Sequence, residues 1–324
     1  MKTAAFSFRR YYYDLCRSWF DCMEKIKIKA HAALFGSGLL FGANYWIAKG
    51  LMPGTMQPMQ IIFVRGFAAM ILFWLLSASM QPLRIYRSDH IKLILCSLLG
   101  IAINQICFFT GLNYTSPVDT SLIHAGSPLM VIAFSAVIAG ESVTTVKITG
   151  ILAGGAGAIL LILQGSGSAA AENQLLGNTL ILINITAYSL YLVLVKPLMM
   201  KYNAVTVMKW VFLYGFLMVI PFSAKDAFSI NWQGFTPSAW LSLGYIVVGT
   251  TFLAYLLTTF SLKALSAGVA GYYIYMQPVI AAAIGIFMFG EALSTAKIAA
   301  GILIFAGIYL VNRPAGIKTN AGKG

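Results

Sequence analysis

Leu112-Asn113-Tyr114-Thr115-Ser116-Pro117 leads to Pro128, Gly140-Glu141, Lys147 and Gly157; later in the chain, Leu262-Lys263-Ala264-Leu265-Ser266-Ala267 leads to Pro278, Gly290-Glu291, Lys297 and Gly307. Pro128, Gly140, Glu141, Lys147 and Gly157 each recur 150 positions further on. Five coincidences in one register mark an internal duplication. The openings of the two copies correspond more loosely: Phe41-Gly42-Ala43-Asn44 with Lys49 parallels Tyr188-Ser189-Leu190-Tyr191 with Lys196.

Composition says what is duplicated. The 324 residues are 59% hydrophobic and only 10% charged, with a mean hydropathy of +0.82. Soluble domains carry about 25% charge, so a water-facing surface cannot be covered here. Disorder is excluded by the same apolar excess. Four cysteines in so long a chain exclude a disulfide scaffold. A membrane helix needs about 20 mostly apolar residues. Ten stretches qualify, near Ala30–Ala48, Gln60–Ser79, Ile91–Gly111, Val118–Ala139, Val146–Leu163, Leu176–Val195, Val205–Phe222, Ala239–Leu262, Val269–Phe289 and Ala296–Val311. The alternating pattern of a β-barrel is absent. Each copy of the repeat therefore holds five spans, and an odd number turns the second copy upside down. The expected fold is all-α: a membrane protein with ten transmembrane helices as two inverted five-helix repeats. Its expected divisions are an N-terminal extension over 1–28, a first repeat over 29–165, a second over 175–313 and a tail over 314–324. Inverted repeats recur in secondary transporters, with the substrate site between the halves near the midplane.

Charge sets the expected orientation. The net charge is +13. With the N-terminus inside, 18 of the 22 Lys and Arg fall on cytoplasmic segments, three (Lys49, Lys225, Lys297) on outer loops, and Arg65 within a span. This is the positive-inside pattern. It places both termini in the cytoplasm and accounts for the basic balance without a nucleic-acid partner. Residues 1–28 lack the short apolar stretch and cleavage site of a signal peptide. Met23, directly before Glu24-Lys25-Ile26-Lys27, reads equally as an alternative start.

The order Phe41-Gly42-Ala43-Asn44 with Lys49, Arg65, Leu112…Tyr114-Thr115, Pro128 and Gly140-Glu141, echoed by Pro278 and Gly290-Glu291, resembles the EamA-type ten-span transporters of the drug/metabolite transporter superfamily. The likeness runs roughly from Ala30 to Arg313. One departure is Phe41-Gly42, where the family pattern usually reads Trp-Gly. The resemblance implies export of amino acids or related metabolites, often across bacterial inner membranes. It does not fix the solute.

Helix faces nominate a lining. Polar groups facing lipid are costly, so these faces should point inward. Span four offers Thr120, His124 and Ser127 on one face, and span nine offers Tyr273 and Gln277. Asn44, Asn104, Tyr188, Tyr191 and Tyr255 come from spans one, three, six and eight. Together they form a candidate substrate-binding set of neutral polar and aromatic groups, suited to a zwitterion or an amphipathic solute. His124, with an unperturbed pKa of about 6.5, is the candidate carrier of a coupling proton. Arg65 is a candidate anion partner, placed near the outer face, with Asp119 as a possible mate. Glu141 and Glu291 read as structural acids at helix starts, and Pro128 and Pro278 as structural breaks in spans four and nine. Cys96 and Cys107 read as small apolar residues.

Rival classes fit less well. HExxH, GxSxG and Walker signatures are absent, as is any metal-type cysteine pair, so neither an enzyme nor a resident metal or cofactor is expected. A nucleotide-sugar or sugar-phosphate carrier would need several cations near the midplane, and only Arg65 qualifies. A multidrug exporter for cations would need a buried acid in the first span, and none is present. The expected partners are the lipid bilayer, a small-molecule substrate and protons, with the oligomeric state open.

The orientation is checked by scanning single cysteines in a cysteine-free background. Lys225→Cys should react with a membrane-impermeant maleimide added outside intact cells. Lys263→Cys should react only after the membrane is opened. The reverse pattern refutes the cytoplasmic placement of both termini.

Overall fold

A computed structural model describes residues 2–81, 83–140, 144–163, 169–265, 267–290 and 294–312. Glu141 and Glu291 lie outside the described residues. All the regular structure among these residues is helical: α1 (Lys2–Leu51), α2 (Pro58–Ala78), α3 (Arg87–Tyr114), α4 (Pro117–Ala125), α5 (Ser127–Ala139), α6 (Thr145–Leu163), α7 (Ala169–Lys201), α8 (Ala204–Ala227), α9 (Pro237–Ser261), α10 (Ala267–Tyr273), α11 (Met276–Phe289) and α12 (Thr295–Asn312), with one 3₁₀ turn at Trp232–Gly234.

Local chemistry fixes where several helices begin. Pro58, Pro117 and Pro237 each occupy the first helical turn, where a missing N–H costs nothing. The Ser116 hydroxyl accepts from the Asp119 N–H at 3.0 Å, Thr236 accepts from Ala239 at 3.3 Å, and the Asn203 side chain accepts from Thr206 at 2.6 Å. Each satisfies an N–H that the first turn would otherwise leave bare. Gly140 and Gly290 end α5 and α11 with φ of 68° and 64°, a left-handed conformation open to glycine without a Cβ penalty.

The breaks in spans four and nine lie just ahead of the prolines. α4 ends at Ala125, Gly126 follows, and α5 starts at Ser127, so Pro128 falls in a first turn; α10 and α11 are parted at Ile274 and Tyr275, the latter three residues before Pro278. Two further irregularities fall inside α3 and α9, where π turns occupy Leu98–Ile103 and Tyr245–Leu253. Pro197 and Pro221 lie within α7 and α8 without ending them.

Seven helical segments among the described residues are long and apolar enough to cross a membrane: Pro58–Ala78, Arg87–Tyr114, Pro117–Ile138, Asn173–Lys201, Ala204–Ala227, Pro237–Ser261 and Val269–Phe289. Thr145–Leu160 and Thr295–Gly307 are shorter apolar helices. Large apolar side chains such as Val137, Leu152, Leu241 and Phe287 point outward and are well exposed. In a soluble protein such an excess of exposed hydrophobic surface would be a liability; in lipid it is the solvent-matched face. The chain is an all-α, multi-span membrane protein.

The helix packing survives an exchange of the two halves. α2 packs on α8, and α6 on α12; α1 packs on α9 as α3 packs on α7; α1 packs on α11 as α5 packs on α7. The tightest seam joins α6 and α12. A Cβ on Gly307 would lie 2.4 Å from the Gly150 carbonyl oxygen, and a Cβ on Gly157 would lie 2.8 Å from that of Ala300. Such close backbone approach is the small-residue packing that helices use in lipid.

Gly307→Ala should therefore cost roughly 1–3 kcal/mol through overpacking, read as a lowered midpoint of thermal unfolding in detergent. Gly155, with nothing within 4 Å of a Cβ, should tolerate alanine with no loss. Equal responses at the two positions would refute the seam.

Candidate functional site

The site is built where the irregular backbone faces inward. A π turn widens one helical turn and releases a carbonyl from its usual partner. In α3 the turn ends just before Asn104. The Tyr255 hydroxyl of α9 donates to the Gly100 carbonyl at 3.2 Å and to Asn104 Oδ1 at 3.3 Å. Asn184 Nδ2 of α7 donates to the Asn104 carbonyl at 2.6 Å. In α9 the π turn seats Thr251, whose hydroxyl donates to the Ile246 carbonyl at 2.6 Å and accepts from Arg65 Nε at 2.8 Å.

Around these groups lies a cavity of about 760 Å³, its open mouth included. Helix α1 contributes a stripe at helical spacing, from Leu34 through Ser37, Phe41 and Asn44 to Tyr45. Arg65, Asn104, Phe108 and His124 complete the first half's share. The second half supplies Asn184, Tyr188 and Leu192 from α7, Tyr255 and Thr258 from α9, and Ala270, Tyr273, Ile274 and Gln277 around the α10–α11 break.

Of the residues nominated from sequence, Asn44, Arg65, Asn104, His124, Tyr188, Tyr255, Tyr273 and Gln277 are thus brought to one cavity. Three are not. Thr120 is buried and turns its hydroxyl to the Ser116 carbonyl at 2.9 Å. Ser127 and Ser189 share a 2.8 Å hydrogen bond between helices. Tyr191 packs where Gly100 leaves room for its ring, and its hydroxyl meets Met208 Sδ at 3.9 Å. Ser127 and Tyr191 serve contacts between helices, and Thr120 serves the first turn of its own helix. Tyr45 is a lining residue that face-counting passed over, although it stands four residues after Phe41. Its hydroxyl donates to Gln277 Oε1 at 2.5 Å and ties the halves together.

His124 Nδ1–H donates to the Thr120 carbonyl at 2.9 Å, which leaves Nε2 as the acceptor. Its ring meets Tyr45 and Phe108 edge-on at 5.6 and 5.7 Å. Arg65 is deeper than the sequence placed it. It is 4% exposed, with its guanidinium 4.7 Å over the Phe109 ring. Asp119 is not its mate. Asp119 Oδ1 pairs with Lys297 Nζ at 3.2 Å, and Gln174 Nε2 donates to its other oxygen at 2.9 Å. Lys297 opens α12, so the cation that reaches Asp119 is brought by the second half.

The α1 stripe stops at Tyr45, and beyond it the structure is tied shut. Trp46 Nε1–H donates to the Ala281 carbonyl at 2.8 Å and its ring stacks on Phe289 at 4.2 Å. Lys49 Nζ donates to the carbonyls of Leu112, Asn113 and Thr115 at 2.8 to 3.0 Å. Lys196 does the same in the second half, donating to the carbonyls of Leu262 and Leu265. At the opposite end of the cavity the Tyr273 hydroxyl meets His31 Nδ1 at 2.8 Å. Cys96 and Cys107 are buried and unpaired. No cluster of His, Cys, Asp and Glu with metal-ligand geometry occurs among the described residues.

Comparison with known proteins gives these features a context. The sequence profile described as the EamA-like transporter family matches residues 28–163 and again 175–313. "Uncharacterized transporter YyaM" of Bacillus subtilis is 22% identical over 87% of this chain and 92% of its own length. An "Uncharacterized transporter" of Archaeoglobus fulgidus is 23% identical over 85% of this chain and 94% of its own. "Uncharacterized transporter YetK" of Bacillus subtilis is 26% identical over 60% of this chain, a match spanning 59% of that protein. A solved crystal structure, 18% identical, superposes with a TM-score of 0.62 over 88% of this chain and 98% of its own, a likeness of fold.

The Asp119–Lys297 pair yields a stability test. Removing one partner from a buried pair costs about 3 kcal/mol. Asp119→Ala should lower the unfolding midpoint clearly, and adding Lys297→Ala should cost much less than the two single changes summed. Additive losses would show that the pair contributes nothing.

Proposed function

The chain belongs to the EamA-like transporter family, and from that premise we propose an inner-membrane secondary transporter that exports amino acids or related small amphipathic metabolites by alternating access. As a family member it carries small molecules across a membrane and is not an enzyme. The proposed architecture is ten spans in two inverted five-helix halves, 29–165 and 175–313, with residues 1–28 and 314–324 at cytoplasmic termini. The doubled family match and the exchangeable helix packing support that reading.

The observation that carries the functional reading is the cavity itself. Both halves line it, and its described wall is uncharged apart from Arg65, mixing polar, aromatic and aliphatic side chains. Such a wall holds an amphipathic solute by stacking and by a few hydrogen bonds. The two broken spans, at Gly126 and at Ile274–Tyr275, meet the cavity through His124, Ile274 and Gln277. They are the proposed hinges on which one half rocks against the other. With no ATP-binding loop in the sequence, the driving force is an ion gradient or the solute's own. His124 Nε2 is the proposed site of a coupling proton.

Reconstitution in liposomes tests this with a panel of labelled amino acids and dyes, with and without a pH gradient. The expected result is saturable movement of at least one amphipathic solute. His124→Gln should flatten its dependence on pH; an unchanged rate and profile would retire the proton role. Movement of phosphorylated sugars alone would replace the reading with a sugar-phosphate carrier.

A further inference from the structure

Among the described residues, one permanent charge lines the cavity. Arg65 lines it and is 4% exposed. Its Nε–H is held by Thr251 and one face of its guanidinium by Phe109. None of the three ion pairs among the described residues includes it. Asp89 and Asp119 stand in the first turns of their helices and Asp226 in the last turn of α8, and among the described residues no Asp or Glu lines the cavity. A buried cation without a carboxylate is the arrangement least favoured in a low-dielectric interior. Thr251 orients the planar fork through Nε and leaves its Nη edge for a partner. That edge matches a carboxylate with two parallel hydrogen bonds.

We infer that the substrate of this cavity is an amphipathic monocarboxylate without a free ammonium group. Its carboxylate meets the Arg65 fork, and its apolar body rests against Phe41, Phe108 and Tyr188. The inference rests on the transporter reading above and narrows it to the related amphipathic metabolites, setting amino acids aside. Charge balance selects the class. A monoanion neutralises the site. A zwitterion leaves its ammonium with no lining carboxylate, and an amine adds like charge beside Arg65. A phosphate dianion brings more charge than one guanidinium offsets. The aromatic walls supply area for a ring or branched body, and Asn104 and Asn184 supply neutral hydrogen-bonding groups for a carbonyl or hydroxyl on it.

The test uses the full chain in lipid nanodiscs, with labelled phenylacetate as the probe and phenylacetamide, phenylalanine and phenethylamine as competitors. Phenylacetate should bind, and each competitor should be at least about tenfold weaker. Loss of one partner from a buried charged pair implies roughly a thirtyfold or greater drop in phenylacetate affinity for Arg65→Gln, with phenylacetamide binding unchanged and Arg65→Lys intermediate. Failure of phenylacetate to bind overturns the inference, as does tighter binding of phenylalanine or phenethylamine. Full phenylacetate affinity in Arg65→Gln also overturns it. The competitor series on the wild-type chain decides the matter even where the variant does not fold. The two readings fail separately. Liposomes that move phenylalanine regardless of Arg65 sink the monocarboxylate and leave the transporter standing, whereas liposomes that move no member of either panel sink the transporter.

Discussion

Backbone in hydrocarbon has no water to fall back on, so every carbonyl that a helix releases must find a partner within the protein. That constraint organises the molecule. Helices α3 and α9 end before the chain turns back, and their last carbonyls would be bare. Lys49 and Lys196 reach across from α1 and α7 to collect them. A cation at a helix C-terminus is also where the helix dipole favours it. Each lysine thus spends its charge on repairing backbone, and each locks the first helix of a half to the third. The π turns obey the same rule from inside: the carbonyls and side chains they turn out are taken up by Tyr255, Asn184 and Arg65. The cavity is the space those repairs enclose.

The duplication supplies equivalent seats, and divergence fills them differently. In the register that aligns Lys49 with Lys196, Ser37 matches Asn184, Phe41 matches Tyr188 and Tyr45 matches Leu192, and all six line the cavity. In the register of the prolines, Phe108 matches Thr258 and His124 matches Ile274, and these line it too. Scaffold chemistry is kept in both copies: the lysine clamps, the π turns, the prolines, the left-handed glycines, the glycine seam. Cavity chemistry is not kept. Histidine faces isoleucine, and tyrosine faces leucine. Two like halves make the fold; the unlike occupants of like positions give the site a direction.

This division explains what could be read from sequence. The scaffold was legible because backbone demands are stereotyped. A proline in a first turn, a glycine at positive φ and a lysine at a helix end each leave one residue type at one place, and duplication prints it twice. The helical segments of spans six and seven were also legible, although Asn184 and Pro221 weaken their apolar pattern, because length outweighs single residues. Side-chain destinations were less so. Thr120, Ser127 and Tyr191 lie on the expected faces, but a buried face has room for both cavity and seam, and periodicity does not separate them. Asp119 was matched with Arg65 because both are charged and early in their spans. Its true neighbour, Lys297, stands 178 residues away in sequence, and only packing of α4 beside α12 brings it near. Tyr45 looked like one more aromatic in a rich helix until its bond to Gln277 showed that it crosses between halves.

The same asymmetry bears on the proposed alternating access. If the second half repeats the first upside down, each contact closing one end has a counterpart poised at the other. Asp119 and Lys297 correspond in the repeat to Val269 and Lys147. Valine cannot form an ion pair, so the proposed exchange of conformations, which opens one end and closes the other, trades an ion pair for a lysine without a carboxylate at the corresponding position. The two states therefore differ in electrostatic content even though the helices swap places. In the proposed cycle the ion pair, nearly dry on the Asp119 side, favours the state described here. A solute that neutralises Arg65 lowers the cost of leaving it, because a closed cavity then carries no unpaired charge through the rearrangement. In that arrangement the duplicated fold provides two nearly equivalent states, and the few unmatched charges decide which is occupied at rest and what must be bound before the other is reached.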